Sequence, residues 1–177
     1  MKIVWLFVML ALTATFAHAE DMAEMISQYR REYGLSTVKT DPGLTEIAER
    51  QARAMAASGI MDHNVAGSFA SRMAGVQTSR AAENIAAGTK TFSQTFRMWQ
   101  TSPGHNANLL QAEADTIGVA VAYNEQTRYK TFWAMVIADK SQKTKGRQVV
   151  AGGENWGYPV SENPFTMVKN FICKYLC

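Results

Sequence analysis

Two histidines and one glutamate are the side chains of this sequence best suited to chemistry. His63 and His105 are each followed by an asparagine, and Glu83, which lies between them in the chain, is also followed by one. Two imidazoles and a carboxylate can bind a divalent metal ion or exchange protons, provided that the fold brings them together. The alternative is that these polar side chains form a buried hydrogen-bonded network with a purely structural role.

These three side chains must be positioned by the helices and strands around them. Apolar residues at three- and four-residue intervals predict helices, and capping residues mark their ends. The predicted helices are Asp21–Tyr33, a segment from Asp41 to Gly59, Ser68–Met73 and Thr91–Thr101. Runs of β-branched and aromatic residues predict two hairpin strands, Thr116–Tyr123 and Tyr129–Ala138, and Glu83–Ala87 is predicted as a short irregular strand. His63 and His105 are therefore expected on connections, with His105 on a turn formed by Ser102-Pro103-Gly104.

The N-terminus has the pattern of a secretory signal peptide. Lys2 is followed by an uncharged, mostly apolar stretch from Ile3 to Phe16 and by the small-residue cleavage pattern Ala17-His18-Ala19. The apolar stretch is shorter than the roughly 20 residues that span a bilayer, so a retained anchor is the less favoured alternative. We expect cleavage after Ala19, no transmembrane segment in the mature chain, and a secreted or periplasmic protein.

Charge separates the rest of the chain into a near-neutral domain and a basic extension. Residues 20–139 contain eleven Lys and Arg against thirteen Asp and Glu, whereas residues 140–177 contain six against two. A nucleic-acid-binding protein is expected to cluster basic residues and aromatic residues on one folded face. The domain has no such cluster, so we expect no nucleic-acid partner. The predicted organisation is a signal peptide over 1–19, one domain over 20–139 and an extension over 140–177.

The extension is predicted to be a basic linker followed by an apolar end. Residues 141–153 are polar, basic and glycine-containing, and Asn163-Pro164 could begin a helix in the apolar segment that follows. That apolar segment could bind the domain itself, a protein partner or a membrane surface. The only cysteines, Cys173 and Cys177, are four residues apart, which is poor disulfide geometry on a helix.

Several motifs follow one another in a distinctive order. A helix ending in glycine is followed by His63-Asn64 and then by Glu83-Asn84-Ile85-Ala86. Next come Trp-x-x-Ser-Pro-Gly-His-x-x-Asn-Leu-Leu at 99–110 and Ile-Gly-Val-Ala-Val-Ala-Tyr at 117–123. This order, over about Met22 to Ala138, resembles the bacterial branch of the CAP superfamily (SCP domain), which contains the cysteine-rich secretory proteins, antigen 5 and the plant pathogenesis-related proteins.

The resemblance implies an α+β fold, an α-β-α sandwich with a small, mainly antiparallel sheet between helices and a cleft on one face. Family members place two histidines and two glutamates in this cleft, and several bind zinc or another divalent ion there. The matching positions are His63, His105 and Glu83, whereas Ser102 stands where the second glutamate usually lies. The incomplete set implies weak binding of zinc or another divalent cation, with Glu83 either a direct ligand or a group that orients a histidine.

Three asparagines near these residues are expected to have a supporting role. Amide side chains can hold neighbouring turns through hydrogen bonds, so Asn84, Asn106 and Asn108 are predicted to keep His63 and His105 in place.

Three functions fit these features, and whether the protein is an enzyme stays open. The favoured function is an exported module that binds a small apolar or envelope-derived ligand, with metal, in the cleft. The second is a metal-dependent hydrolase acting through His63, Glu83 and His105; a nucleophilic Ser102 would also need His105 as base and a third group to orient it. The third is an interaction protein that docks on a protein partner through its C-terminal segment.

Overall fold

Helices cover both faces of a small sheet in residues 21–140, the part of the chain that the computed structural model describes. The expected signal peptide, the linker beyond Lys140 and the apolar C-terminal segment with its two cysteines lie outside the described residues. Within residues 21–140, none of the helices combines the length and the apolar character needed to cross a bilayer.

Four strands and five helices make up this region. In chain order they are α1 (residues 21–32), β1 (Lys39–Thr40), α2 (Pro42–Ser58), α3 (Phe69–Arg72), β2 (Ala81–Ala87), α4 (Phe92–Thr101), α5 (Pro103–Leu109), β3 (Thr116–Tyr123) and β4 (Thr131–Ala138). The strand order is β1-β3-β4-β2; β1 is parallel to β3, and the other two pairings are antiparallel. The predicted α-β-α sandwich with a mainly antiparallel sheet is confirmed.

Helix α2 begins and ends at the residues that the sequence marks. The Asp41 carboxylate accepts a hydrogen bond from the Leu44 N–H at 2.9 Å, and Pro42 occupies the first turn, where no N–H is needed. Gly59 ends the helix in the left-handed conformation (φ 70°), which glycine adopts without a steric penalty. Local capping therefore defines the helix that covers one face of the sheet.

Two apolar layers lie on the two faces of the sheet. Helix α2 packs on one face, and its backbone touches the sheet at Gly118: a methyl group there would lie 2.2 Å from the Leu44 carbonyl carbon and the Thr45 nitrogen. On the opposite face, the core joins residues of α1, α4 and α5 to the sheet. The fully buried Trp99 of α4 lies in this second layer.

Two short elements and one strand differ from the sequence predictions. Strand β1 was not predicted, and β2 is a regular strand that begins at Ala81, paired with β4 along its whole length. The expected turn at Pro103-Gly104 is wrong, since these residues begin α5. A proline at the first helical position costs no hydrogen bond, so the Pro-Gly pair starts a helix here.

A buried carboxylate, that of Asp139, ties the segment before β2 to the end of β4. Asp139 accepts hydrogen bonds from the Thr78 hydroxyl at 2.6 Å, from the Ser79 hydroxyl, and from the backbone N–H groups of Ser79 and Arg80 at 2.9 Å. Burial acts to raise the pKa of the Asp139 carboxyl, but the hydrogen bonds from Ser79, Thr78 and the Arg80 backbone outweigh it and lower the pKa. These contacts should therefore stabilise the ionised form.

Protonation of Asp139 should weaken the fold at acid pH. Because the pKa is lower in the folded protein, the stabilisation is complete above the unfolded value of about 3.9 and is lost as the pH falls through the folded value. We expect Asp139→Asn to lower the free energy of unfolding at neutral pH by about 1–3 kcal/mol and to flatten its acid dependence, measured by urea unfolding across a pH series. Asp21→Asn, at an exposed position, is the control and should change neither. An Asp139→Asn variant with the acid slope of the wild type would contradict the assignment.

Candidate histidine site

The imidazole of His63 is oriented by a buried carboxylate. His63 lies in the loop after α2, where the Gln51 side chain of α2 donates a hydrogen bond to the Asp62 carbonyl at 2.7 Å. Nδ1 of His63 is 2.7 Å from Oε1 of Glu83, whose side chain is only 2% exposed, whereas that of His63 is 36% exposed. The sheet therefore supplies a fixed partner to a half-exposed ring.

Arg72 is a member of the site that the sequence predictions missed. Its guanidinium donates to both oxygens of Glu83, at 2.5 and 3.0 Å, and to the carbonyls of His63 at 2.9 Å and Gly67 at 3.2 Å. The residue ends the short helix α3, a position typical of a surface cation, and the sequence around it carries no signal of burial. Only the packing of α3 beside β2 shows its role.

His105 is held by a hydroxyl rather than by a carboxylate. It lies in α5, and its Nδ1 is 2.8 Å from Oγ of Ser102, the residue before the helix. The Ser102 side chain makes no capping bond to the helix backbone. Burial lowers the pKa of His105, and the electrostatic influence of His63 acts in the same direction, which favours the neutral ring.

Two of the three predicted asparagines link β2 to α5. Asn84 donates to the His105 carbonyl at 3.0 Å, and Asn108 donates to the Asn84 side-chain oxygen at 2.8 Å. The third, Asn106, accepts a hydrogen bond from the Tyr29 hydroxyl at 2.8 Å and so joins α5 to α1. These contacts fix the backbone of His105, whereas the contacts that hold His63 come from Glu83 and Arg72.

The side of β2 that faces away from β4 is also attached to the helices. The residues that flank β2 show which of its backbone groups face β4: the Arg80 carbonyl accepts from the Asp139 N–H, and the Gly88 N–H donates to the Thr131 carbonyl. Because the direction alternates along an antiparallel strand, the odd-numbered residues of β2 point their carbonyls away from β4. Asn108 of α5 donates to the Glu83 carbonyl at 3.3 Å, and the Trp99 indole of α4 donates to the Ile85 carbonyl at 3.2 Å. Strand β2 therefore connects Glu83 to the helix that carries His105.

Few side chains that could hold a metal ion come together in residues 21–140. Structural and catalytic zinc sites normally have at least three protein ligands, and residues 21–140 contain no group of three or more His, Cys, Asp or Glu side chains able to hold an ion. Glu83 already uses both oxygens on Arg72 and His63, an arrangement that favours an orienting role for this carboxylate. His63 and His105 each use Nδ1 within the protein, and neither Nε2 has a hydrogen-bond partner among the described residues.

Comparison with known proteins places the chain in a family. The protein YkwD of Bacillus subtilis (strain 168) is 30% identical over 107 residues, which are 58% of this chain and 42% of that protein, so this chain matches less than half of that relative. The structure of an extracellular SCP-domain protein from Bacillus anthracis has a TM-score of 0.61 at 21% identity and covers 70% of this chain and 41% of that one. The structure of an outer surface protein from Borrelia burgdorferi has a TM-score of 0.59 at 17% identity and covers 67% of this chain and 89% of that one.

The two similar structures show the fold, and a family model shows the family. The model of the cysteine-rich secretory protein family (CAP) matches residues 23–137. The chain belongs to the cysteine-rich secretory protein (CAP) family.

Proposed function

We propose that this CAP-family protein is an exported binding module and that His63 and His105 form its binding site. The observation that carries the proposal is the orientation of the two rings. Each is held through Nδ1, by Glu83 or by Ser102, and its Nε2 has no hydrogen-bond partner in residues 21–140. Histidines that bind metals or ligands are commonly fixed in this way through the second ring nitrogen.

A divalent cation such as zinc would be held by the Nε2 atoms of His63 and His105, with the other positions filled by water or by a small ligand. When bound, such an ion would supply a Lewis acid that polarises a ligand oxygen. With two protein ligands, the binding is expected to be weak and reversible. The small apolar or envelope-derived ligand expected from the sequence would then bind next to these rings.

The contacts of Glu83 favour binding over hydrolysis. A hydrolase acting through His63, Glu83 and His105 needs a carboxylate that can activate water or bind the metal directly. Both oxygens of Glu83 already contact Arg72 or His63, so activation of water by this carboxylate would compete with these contacts. A nucleophilic Ser102 would need a third group to orient His105, and the described residues supply none to its Nε2.

Export is supported by the signal-peptide pattern of residues 1–19. The relatives from Bacillus anthracis and Borrelia burgdorferi are described as an extracellular and an outer surface protein, which agrees with export. The third function, docking through the C-terminal segment, concerns residues outside those described and stays a prediction.

Zinc titration of the purified full chain tests the proposed site. We expect calorimetry to show one reversible Zn²⁺ site, and we expect His63→Ala and His105→Ala each to weaken it by at least about tenfold, because each removes one of two ligands. Glu49→Ala removes a half-exposed carboxylate on α2 that pairs with Arg53, and it should leave zinc binding unchanged. Native mass spectrometry of the protein extracted from the producing cell would show the small ligand. If the two histidine variants bind zinc as the wild type does, and the wild type carries no ligand, the proposed function is wrong.

A further inference from the structure

The guanidinium of Arg72 is the centre of the buried half of the histidine site. It donates four hydrogen bonds: to Oε1 and Oε2 of Glu83, to the His63 carbonyl and to the Gly67 carbonyl. Its side chain is 3% exposed. It therefore contacts both the backbone of His63 and the carboxylate that holds the His63 ring.

The pairing with Arg72 determines what Glu83 can do. Arginine keeps its charge at all physiological pH values, and a carboxylate facing two of its N–H groups is held in the ionised form, which can only accept hydrogen bonds. Oε1 of Glu83 also contacts Nδ1 of His63 at 2.7 Å. The hydrogen of this contact must then belong to the histidine.

The two rings of the site consequently differ in the freedom of their protons. In a neutral imidazole only one nitrogen carries hydrogen, so a proton fixed on Nδ1 of His63 leaves Nε2 with a lone pair. Nδ1 of His105 faces the Ser102 hydroxyl, which can donate or accept, and its tautomer can adapt. The site thus has one fixed electron-pair donor and one adaptable nitrogen.

We propose that Arg72 is a positioning residue that acts through Glu83 to fix the tautomer of His63. The site then selects a ligand atom that accepts an electron pair, such as a divalent cation, or one that donates an O–H or N–H hydrogen, and it disfavours anions at His63. This inference rests on the proposed function for its ligand class, whereas the tautomer itself can be measured without any ligand.

The first test is a measurement on the wild-type full chain without metal. Two-bond ¹⁵N–¹H spectra of the histidine rings, recorded at about pH 8, above the ordinary range of histidine titration, should show His63 with hydrogen on Nδ1 and none on Nε2. The ring signals that are absent from the spectrum of His63→Ala belong to His63. A His63 ring protonated on Nε2 would overturn the proposal.

The second test changes Arg72 while keeping its charge. Arg72→Lys cannot reach four acceptors from one ammonium group, so we expect the His63 ring to populate both tautomers and the Zn²⁺ affinity to fall about 10- to 100-fold. Arg53→Lys, an exposed arginine paired with Glu49, is the matched control and should change neither measurement. A folded Arg72→Lys protein with a single Nδ1–H tautomer and wild-type zinc affinity would show that Arg72 has only a structural role.

A nearly isosteric variant provides a test that does not change Arg72. In Glu83→Gln, Arg72 should bind the amide oxygen and turn the amide NH₂ group toward His63, which reverses the hydrogen bond and places the ring hydrogen on Nε2. Both the tautomer signal and Zn²⁺ binding should then be lost; retention of the Nδ1–H signal would contradict the mechanism. If the wild type has the expected tautomer but binds no zinc and carries no ligand, the proposed function fails while the role of Arg72 is supported.

Discussion

Arg30→Met is expected to lower the free energy of unfolding by at least about 3 kcal/mol, because several buried carbonyl groups lose their donor at once. The Arg30 guanidinium is completely buried, and it donates to the carbonyls of Ser36 at 2.8 Å, Leu109 at 2.8 Å, Gln111 at 2.9 Å and Ala114 at 3.0 Å. These contacts fasten α1 to the segment between α5 and β3. Burial lowers the pKa of Arg30, but a guanidinium stays charged in proteins, so methionine removes a charge as well as the donors.

The neighbouring residue offers a matched control for this change. Arg31 is half exposed and pairs with Glu24, and an exposed ion pair contributes at most about 1 kcal/mol. Urea unfolding should therefore separate Arg30→Met clearly from Arg31→Met. Equal and small losses for the two variants would mean that the carbonyls around Arg30 find water instead, and the structural role assigned to Arg30 would be wrong.

Gly118→Ala is the second substitution expected to have a large effect. Its methyl group would lie 2.2 Å from main-chain atoms of Leu44 and Thr45, and helix backbone cannot move aside as a flexible side chain can. Overpacking commonly costs about 1–3 kcal/mol, and we expect a loss at or above the upper end of this range. Because Gln51 of α2 holds the loop of His63, a displaced α2 should also weaken zinc binding.

Thermal or urea unfolding and zinc titration of the same sample measure both effects. Gly43→Ala is the control, since a methyl group there meets only the Asp41 side chain, at 3.2 Å, and the expected change in stability is within about 1 kcal/mol. A Gly118→Ala protein as stable as the wild type would show that α2 can separate from the sheet at little cost.

The elements that the sequence predicted well are those defined by local signals. Asp41, Pro42 and Gly59 mark α2 through capping and backbone preference, and the hairpin strands β3 and β4 are recognisable from their β-branched residues. Strand β1 has only two residues and exists because the chain pairs with β3, which no local pattern indicates. Helix α5 was missed because Pro-Gly has the same local appearance in a turn and at a helix start.

The predicted site residues were chosen from side-chain chemistry and motif order, and the member that this choice missed is the buried Arg72. Arg30 in α1 lies outside the site, and its complete burial was not predicted either. Arg72 looks like a surface residue until α3 packs beside β2. A long charged side chain reveals its burial only through partners distant in sequence, and hydrophobic periodicity contains no information about such partners.

The attachment of Asn108 and Trp99 to the outer carbonyls of β2 has a consequence for the behaviour of the protein in solution. In the described region β2 ends the sheet, and a terminal strand with free carbonyl and N–H groups can template the addition of a strand from another molecule, which leads to aggregation. Two of the carbonyls that such a strand would need are occupied by side chains of α4 and α5. The helices that position His105 therefore also protect the sheet against intermolecular pairing, so residues near the histidines can be retained for solubility as well as for binding.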